Sequence, residues 1–261
     1  MSYLIDTHCH LHDREFFSEA QAEEMLIRAR EYNVQQIICI GTSHEDSLAA
    51  AKFAASHDNA YWTYGVHPEY AEKNNSGLTE RVLERDIGGK PSFLVAIGEV
   101  GLDYHYEGYD RVAQIQLFEQ MLQLAVDNDL PVSFHVREAF DDFFPVVANF
   151  PTVRGVVHSF TDSKKNLHRV LNETEFYVGV NGLATYSTLP TPPLERILLE
   201  TDAPFLTPVP FRGIINEPAY VSAVAKWLGT RLVLRYELIE EETTKNAKQL
   251  FNLQHTILRK A

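Results

Sequence analysis

Eight short apolar runs recur along the chain, separated by helix-like segments: YLIDTH, QIICIG, YWTYGV, FLVAIGE, PVSFHV, RGVVHSF, EFYVGV and RILLETD. Most are continuously apolar rather than alternating. A strand with one solvated face alternates, so continuous runs belong to strands covered on both sides, as in a parallel sheet. The intervening segments read as helices. In SEAQAEEMLIRAREYN, Ser18 can serve as an N-cap, and Ala22, Met25, Leu26, Ala29 and Tyr32 fall on one stripe. In RVAQIQLFEQMLQLAVDN, residues Val112, Ile115, Met121, Leu122, Ala125 and Val126 form a broad apolar face. Eight strands alternating with helices predict an α/β fold, the TIM (β/α)8 barrel. A doubly wound sheet competes with it, but no Gly-rich phosphate fingerprint follows the first run.

The chain has 261 residues and 45% hydrophobic content, enough to bury a full core. It carries no Gly/Ser linker, low-complexity tract or fixed-period repeat, so residues 1–261 are expected to form one barrel domain. No apolar run approaches the length of a membrane span, and the N-terminus enters a strand directly. A cytoplasmic protein without a membrane partner is expected. Cys9 and Cys39 each sit within an apolar strand pattern, which predicts buried free thiols rather than a disulfide. The formal charge of −13 argues against a broad basic face that coats nucleic acid. It leaves open a nuclease whose metals supply positive charge locally.

A barrel of this type places its chemistry where the strands end. Those positions hold His8 and His10, then Thr42, His67, Glu99, His135, His158, Asn181 and Asp202. In IDTHCHLHD, His8 and His10 alternate and so point to the same side of a strand. Five of the eight strands bring a metal-competent group to one rim, and a sixth brings His67. A lone histidine there is an ordinary hydrogen-bonded rim residue, but convergence of this kind marks a site. By contrast His12, His44, His57, His105, His168 and His255 lack this placement and are read as solvated.

Four histidines and two carboxylates exceed what one tetrahedral zinc needs, so two divalent ions are expected. Glu99, in AIGEVGLDY, is the candidate bridge, and Gly98 and Gly101 would let a ligand approach closely. The identity of the ions stays open among Mg, Mn, Zn, Fe and Co, magnesium being the least at home among so many imidazoles. Asp202, in LLETDAPFLTP, is placed to act as general base. Arg137, two residues beyond His135, can pair with a phosphate or, more simply, with Glu138 or Asp141.

The blocks IDTHCHL, GVHPE, AIGEVGLDY, PVSFHVRE, VVHSF, YVGVNG, LLETDAPFLTP and NEPAYV resemble, in order, the signature blocks of the TatD-type metal-dependent deoxyribonucleases. The resemblance extends to TTKNAKQLF and covers nearly the whole chain. It implies an amidohydrolase-like TIM barrel and a divalent-metal phosphodiesterase, typically a 3′→5′ exonuclease on DNA. The weak long-range attraction of a chain with charge −13 directs such an enzyme to single-stranded or frayed DNA ends. The resemblance also implies the ligand sets. One metal would take His8, His10, Glu99 and Asp202, the other Glu99, His135 and His158. His67 would lie near the scissile phosphate, and Arg212 and Asn216 match a substrate-binding RNEP element, here stretched to RGIINEP.

The link from Asn181 to Glu195 is short for a parallel crossover and holds Pro190, Pro192 and Pro193. A seventh helix that is missing or reduced is expected there, unless the sequence lacks a stretch. Two other readings use the same residues: a hydrolase of a small ester, amide or phosphoester, because such metal sites serve several electrophiles, and a non-catalytic metal-binding protein. The complete ligand set weighs against the last. No stable protein partner is implied.

Overall fold

The computed structural model describes residues 2–74 and 92–253. The eight apolar runs form eight strands: β1 (Leu4–Cys9), β2 (Val34–Cys39), β3 (Ala60–Tyr64), β4 (Leu94–Asp103), β5 (Val132–Arg137), β6 (Gly155–Val157), β7 (Tyr177–Val180) and β8 (Ile197–Leu199). They lie side by side in chain order, every pair parallel. Closure comes from the segment just past β8. The Asp202 amide donates to the His8 carbonyl at 2.8 Å and the His10 amide to the Ala203 carbonyl at 2.8 Å. The architecture is therefore the TIM barrel that the continuous apolar runs required.

Seven α-helices accompany the strands among the described residues: α1 (Glu19–Glu31), α2 (His44–Ser56), α3 (Arg111–Asp127), α4 (Phe140–Ala148), α5 (Lys164–Glu173), α6 (Val221–Leu232) and α7 (Tyr236–Phe251). Helix α1 starts as the sequence predicts, with Ser18 and Gln21 forming a reciprocal capping box. Its buried stripe is Ala22, Met25, Leu26 and Ala29, while Tyr32 is the C-cap and stays 40% exposed. The face of α3 differs from the expected one. Leu117, Phe118, Met121, Leu122 and Ala125 face inward, whereas Val112 and Val126 are exposed. The i, i+3, i+4 ladder through Leu117 and Phe118 carries more apolar volume, and that ladder decides which side is buried.

No α-helix connects β7 to β8. Two single-turn 3-10 segments, Gly182–Thr185 and Leu194–Arg196, make the crossover instead, with the prolines between them. Helix α6, which follows β8, packs beside the Gly182–Thr185 turn. Its Trp227 lines a crevice with Leu189 and Pro190. A later helix thus covers the ground a seventh crossover helix would occupy.

Cys9 and Cys39 are buried and free, paired across β1 and β2. His12 corrects the sequence reading. It is 1% exposed, and its Nε2 lies 2.9 Å from Asp46 Oδ1 at the start of α2. Asp46 also accepts from the Thr42 amide and hydroxyl, so one carboxylate ties the loops after β1 and β2 together. Burial is continuous from Leu4 through His12, past the end of β1. His44 and His57 are half-buried, with His57 bonded to Glu23. His105 and His168 are exposed, and His255 lies outside the described residues.

Two stability measurements follow. His12→Ala strips Asp46 of a buried partner and should cost about 1–3 kcal/mol, read by denaturant unfolding with chelator present so that ligation does not contribute. A wild-type midpoint would contradict the tie. Gly101 has φ +147, and a Cβ there would overlap the His135 carbonyl of the neighbouring strand. Gly101→Ala should therefore lower stability by about 1–3 kcal/mol through overpacking. Gly108→Ala, where φ is +85 and no atom lies within 4 Å, should cost less; equal losses would show that the close β4–β5 approach is not what requires glycine.

Candidate metal centre

The closure of the barrel sets the site. Because Asp202 binds the His8 backbone, the end of β1 and the segment after β8 are adjacent. Asp6, fully buried one strand pitch below His8, accepts from the Thr201 amide at 2.9 Å and from the Thr201 hydroxyl at 2.6 Å. Beyond that clip the chain turns sharply, and Asp202 adopts a left-handed φ of 60°. Aspartate, like asparagine, adopts that conformation more readily than other non-glycine residues.

Glu99 is the centre of the cluster and is 5% exposed. Its Oε1 lies 2.6 Å from His135 Nδ1 and 3.8 Å from His158 Nε2, while Oε2 lies 3.4 Å from His8 Nε2. Asp202 Oδ1 is 3.6 Å from His8 Nε2 and 3.4 Å from His10 Nε2. The rings of His8 and His158 stack with centroids 3.5 Å apart. Thus His8, His10, Glu99, His135, His158 and Asp202, which come from five strands, meet at one point.

Three groups of donors converge closely enough to share an ion: His8 with His158 and Asp202, His8 with His10 and Glu99, and His67 with Asp103 and His135. The first two share His8. The third adds Asp103, which the sequence reading passed over by ending its fourth strand at Glu99. Strand β4 runs on to Asp103, and four residues along a strand return to the same face. The other omission, Glu200, is 1% exposed and lies 3.0 Å from His158 Nδ1. Its two-residue spacing from Asp202 carried the same signal.

The second layer of contacts aims the rings. His10 Nδ1 faces the Ile40 carbonyl at 3.1 Å, which leaves Nε2 as the free lone pair directed at Asp202. Glu200 Oε1 lies 3.0 Å from His158 Nδ1 as an ion pair without hydrogen-bond alignment, and Asp103 Oδ2 holds His135 Nε2 at 3.0 Å. Carboxylate or carbonyl support behind a ligating imidazole is the arrangement metal sites use to fix tautomer and orientation. His8 gives the strongest test of fit: both of its ring nitrogens are buried without a hydrogen-bond partner. Such a cost is out of place in a finished core. A cation bound between His8 Nε2 and the two carboxylates would satisfy the nitrogen that faces them.

Charge follows from this packing. Burial raises the Glu99 carboxyl, but His158, His135 and His8 overcome it and hold Glu99 well below the usual carboxylate range. Asp202 is likewise lowered against its burial by His10, His158 and His8. Burial disfavours the His158 imidazolium, yet Glu200 and Glu99 push it up to about 10. His67 behaves in the opposite way. Burial, then the charge of His135, lowers it to about 4.

The cluster floors an open cavity of about 780 Å³. His67 and Arg137 lie on its wall. Arg137 pairs with neither Glu138 nor Asp141; its guanidinium sits over the Tyr106 ring, 5.3 Å from the centroid, and Glu138 bonds His105 instead. Arg212 is exposed away from the cavity lining, stacked over Tyr186 at 4.0 Å. Asn216 corrects its expected direct contact with substrate. It is fully buried, and its amide donates to the Thr201 carbonyl at 2.9 Å and the Phe205 carbonyl at 2.6 Å. It brackets the loop that carries Asp202.

Known proteins share this sequence pattern and fold. The family model described as TatD related DNase matches residues 5–252. The chain is 32% identical to an uncharacterized metal-dependent hydrolase, YabD, of Bacillus subtilis over 96% of this chain and 99% of that protein. It is also 32% identical to a 3′-5′ ssDNA/RNA exonuclease, TatD, of Pantoea ananatis, over 96% of this chain and all of the other. Among solved structures, the TatD homolog YJJV of Escherichia coli superposes with a TM-score of 0.85 at 29% identity, covering 96% of this chain and 98% of that one. With its signature residues gathered around one buried glutamate, the chain belongs to the TatD-related DNase family of metal-dependent hydrolases.

Proposed function

We propose that this protein is a divalent-metal-dependent phosphodiesterase that removes nucleotides from the 3′ end of single-stranded or frayed DNA. The observation that carries the reading is the buried His8 ring, unpartnered and flanked by Glu99 and Asp202 at the floor of an open cavity. His8, His10, Glu99 and Asp202 would hold one ion, and Glu99, His135 and His158 a second. Bound there, divalent ions would offset phosphate charge and acidify a water molecule.

The chain's own residues do the rest. Asp202, ionised and facing the cavity, accepts the proton of the attacking water. His67 is neutral at pH 7, since its imidazolium is lowered to about 4. Its Nδ1 accepts from the Glu69 amide at 3.3 Å, so its proton resides on Nε2. His67 therefore donates a hydrogen bond to a phosphate oxygen or the departing sugar oxygen. Arg137, held flat on Tyr106, presents its guanidinium to a phosphate. The name of the Pantoea ananatis relative supports a single-stranded nucleic-acid substrate. A small ester or amide remains the second reading because several relatives are named only as metal-dependent hydrolases.

Purified protein should release mononucleotides from a 5′-labelled single strand with manganese or magnesium and stop when chelator is added. Efficient turnover of carboxylic esters or amides with no nucleotide release would favour the second reading. Glu99→Gln and Asp202→Asn should each lower turnover at least about a hundredfold while the fold is retained. Asparagine tolerates the left-handed φ that Asp202 adopts, so a melting temperature near wild type is expected for Asp202→Asn. A loss under tenfold at either position would remove that residue from the mechanism.

Grip on DNA should be weak. Among the described residues lining the cavity Arg137 is the sole lysine or arginine, and the chain carries a charge of −13. At roughly −0.7 per phosphate contact on single strands, the log–log salt slope should lie between about −0.7 and −2. Unlabelled competitor added after the first cut should halt shortening of labelled strand. Continued shortening, or a slope several times steeper, would reveal a basic track elsewhere.

A further inference from the structure

Two phenylalanines at the mouth of the cavity face water. Phe16, in the loop after β1, is 44% exposed, although its neighbour Phe17 is 1% exposed in the core. Phe205, three residues past Asp202, is 47% exposed. The two rings meet edge to face with centroids 5.3 Å apart, and the Phe205 ring lies 6.5 Å from the ring of His10. Both line the cavity. The position of Phe205 is fixed from behind. Its amide donates to the Asp202 carbonyl at 2.8 Å, and its carbonyl accepts from buried Asn216.

A half-exposed aromatic pair leaves much of its apolar surface in water, more than its edge-to-face contact alone accounts for. It borders His10 and Asp202, so a nucleotide whose phosphate was held at the cluster would bring a base within reach of it. The rest of the lining cannot supply much affinity by charge. It contains Asp13, Glu15 and Glu69 besides the ligand carboxylates, with Arg137 as its cation. Base stacking on an aromatic face is insensitive to such a field and tolerates every base. Resting on the nuclease reading, we infer that Phe205, braced by Phe16, is the stacking platform for the nucleobase adjacent to the scissile phosphate of single-stranded DNA. Asn216 is then a positioning residue that holds both this platform and Asp202.

The test is a binding cycle. Manganese-loaded protein is titrated by fluorescence anisotropy with a 5′-labelled oligothymidylate whose 3′-terminal linkages are phosphorothioates that resist cleavage. Matched oligomers carry an abasic residue at one or the other of the last two positions. Wild type should lose roughly five- to a hundredfold in affinity for one of the two abasic strands. Phe205→Ala and Phe205→Leu should lose a similar factor on the intact strand and show no further loss on that abasic strand, whereas Phe205→Trp retains binding. Leucine keeps apolar bulk without a ring face, so wild-type binding by Phe205→Leu would overturn stacking, as would fully additive losses for protein and base. Should Phe205→Ala not fold, Phe205→Leu and Phe16→Ala carry the same cycle. The nuclease reading fails separately: wild type that shows the coupling yet cleaves no unmodified strand keeps the platform and loses the activity.

Discussion

The buried carboxylate of Glu99 is the constraint on which the rest of the site depends. A lone carboxylate at 5% exposure would be neutral or absent, because the cost of desolvating its charge is several kcal/mol. Here three imidazoles from three other strands surround it at 2.6–3.8 Å. Each imidazole in turn needs a group behind it. Ile40, Glu200 and Asp103 supply that for His10, His158 and His135. His8 alone lacks such support, and it is the ring that lies between Glu99 and Asp202. One buried charge thus draws partners from three other strands, and the closed barrel brings those strand ends to one point.

Closure, in turn, rests on polar groups rather than on a long β8. Strand β8 has three residues, Ile197–Leu199. The Asp6–Thr201 clip and the Asp202–His8 and His10–Ala203 bonds carry the chain across the seam. Asn216 then pins the loop beyond. Burial lifts the Asp6 carboxyl to about 8 even though Thr201 and His8 donate to it. The same few residues therefore close the barrel and aim Asp202, so stability and the proposed chemistry are coupled at this seam.

Much of this was legible in the residues. Continuous apolar runs announced a parallel sheet, and prolines 190, 192 and 193 announced the missing helix, because each statement depends on local chemistry alone. The positions at strand ends were legible because a barrel has only one rim for them. Asp103 and Glu200 were missed for want of following the two-residue period past the first ligand on a strand. His12 was misread for the opposite reason: its partner Asp46 sits 34 residues away, and nothing local marks a pairing between two loops. Asn216 and Phe205 belong to the same class. Their roles depend on a loop whose path is set by Thr201 and Asp202, which sequence spacing does not reveal.

In the proposed site two ions share Glu99. Crystals of the protein grown with manganese, with diffraction recorded at the manganese absorption edge, would locate them directly. The account predicts two anomalous peaks, one on each side of the Glu99 carboxylate, the first within bonding distance of His8, His10 and Asp202. A single peak held by His67, Asp103 and His135, with none beside Glu99, would contradict it.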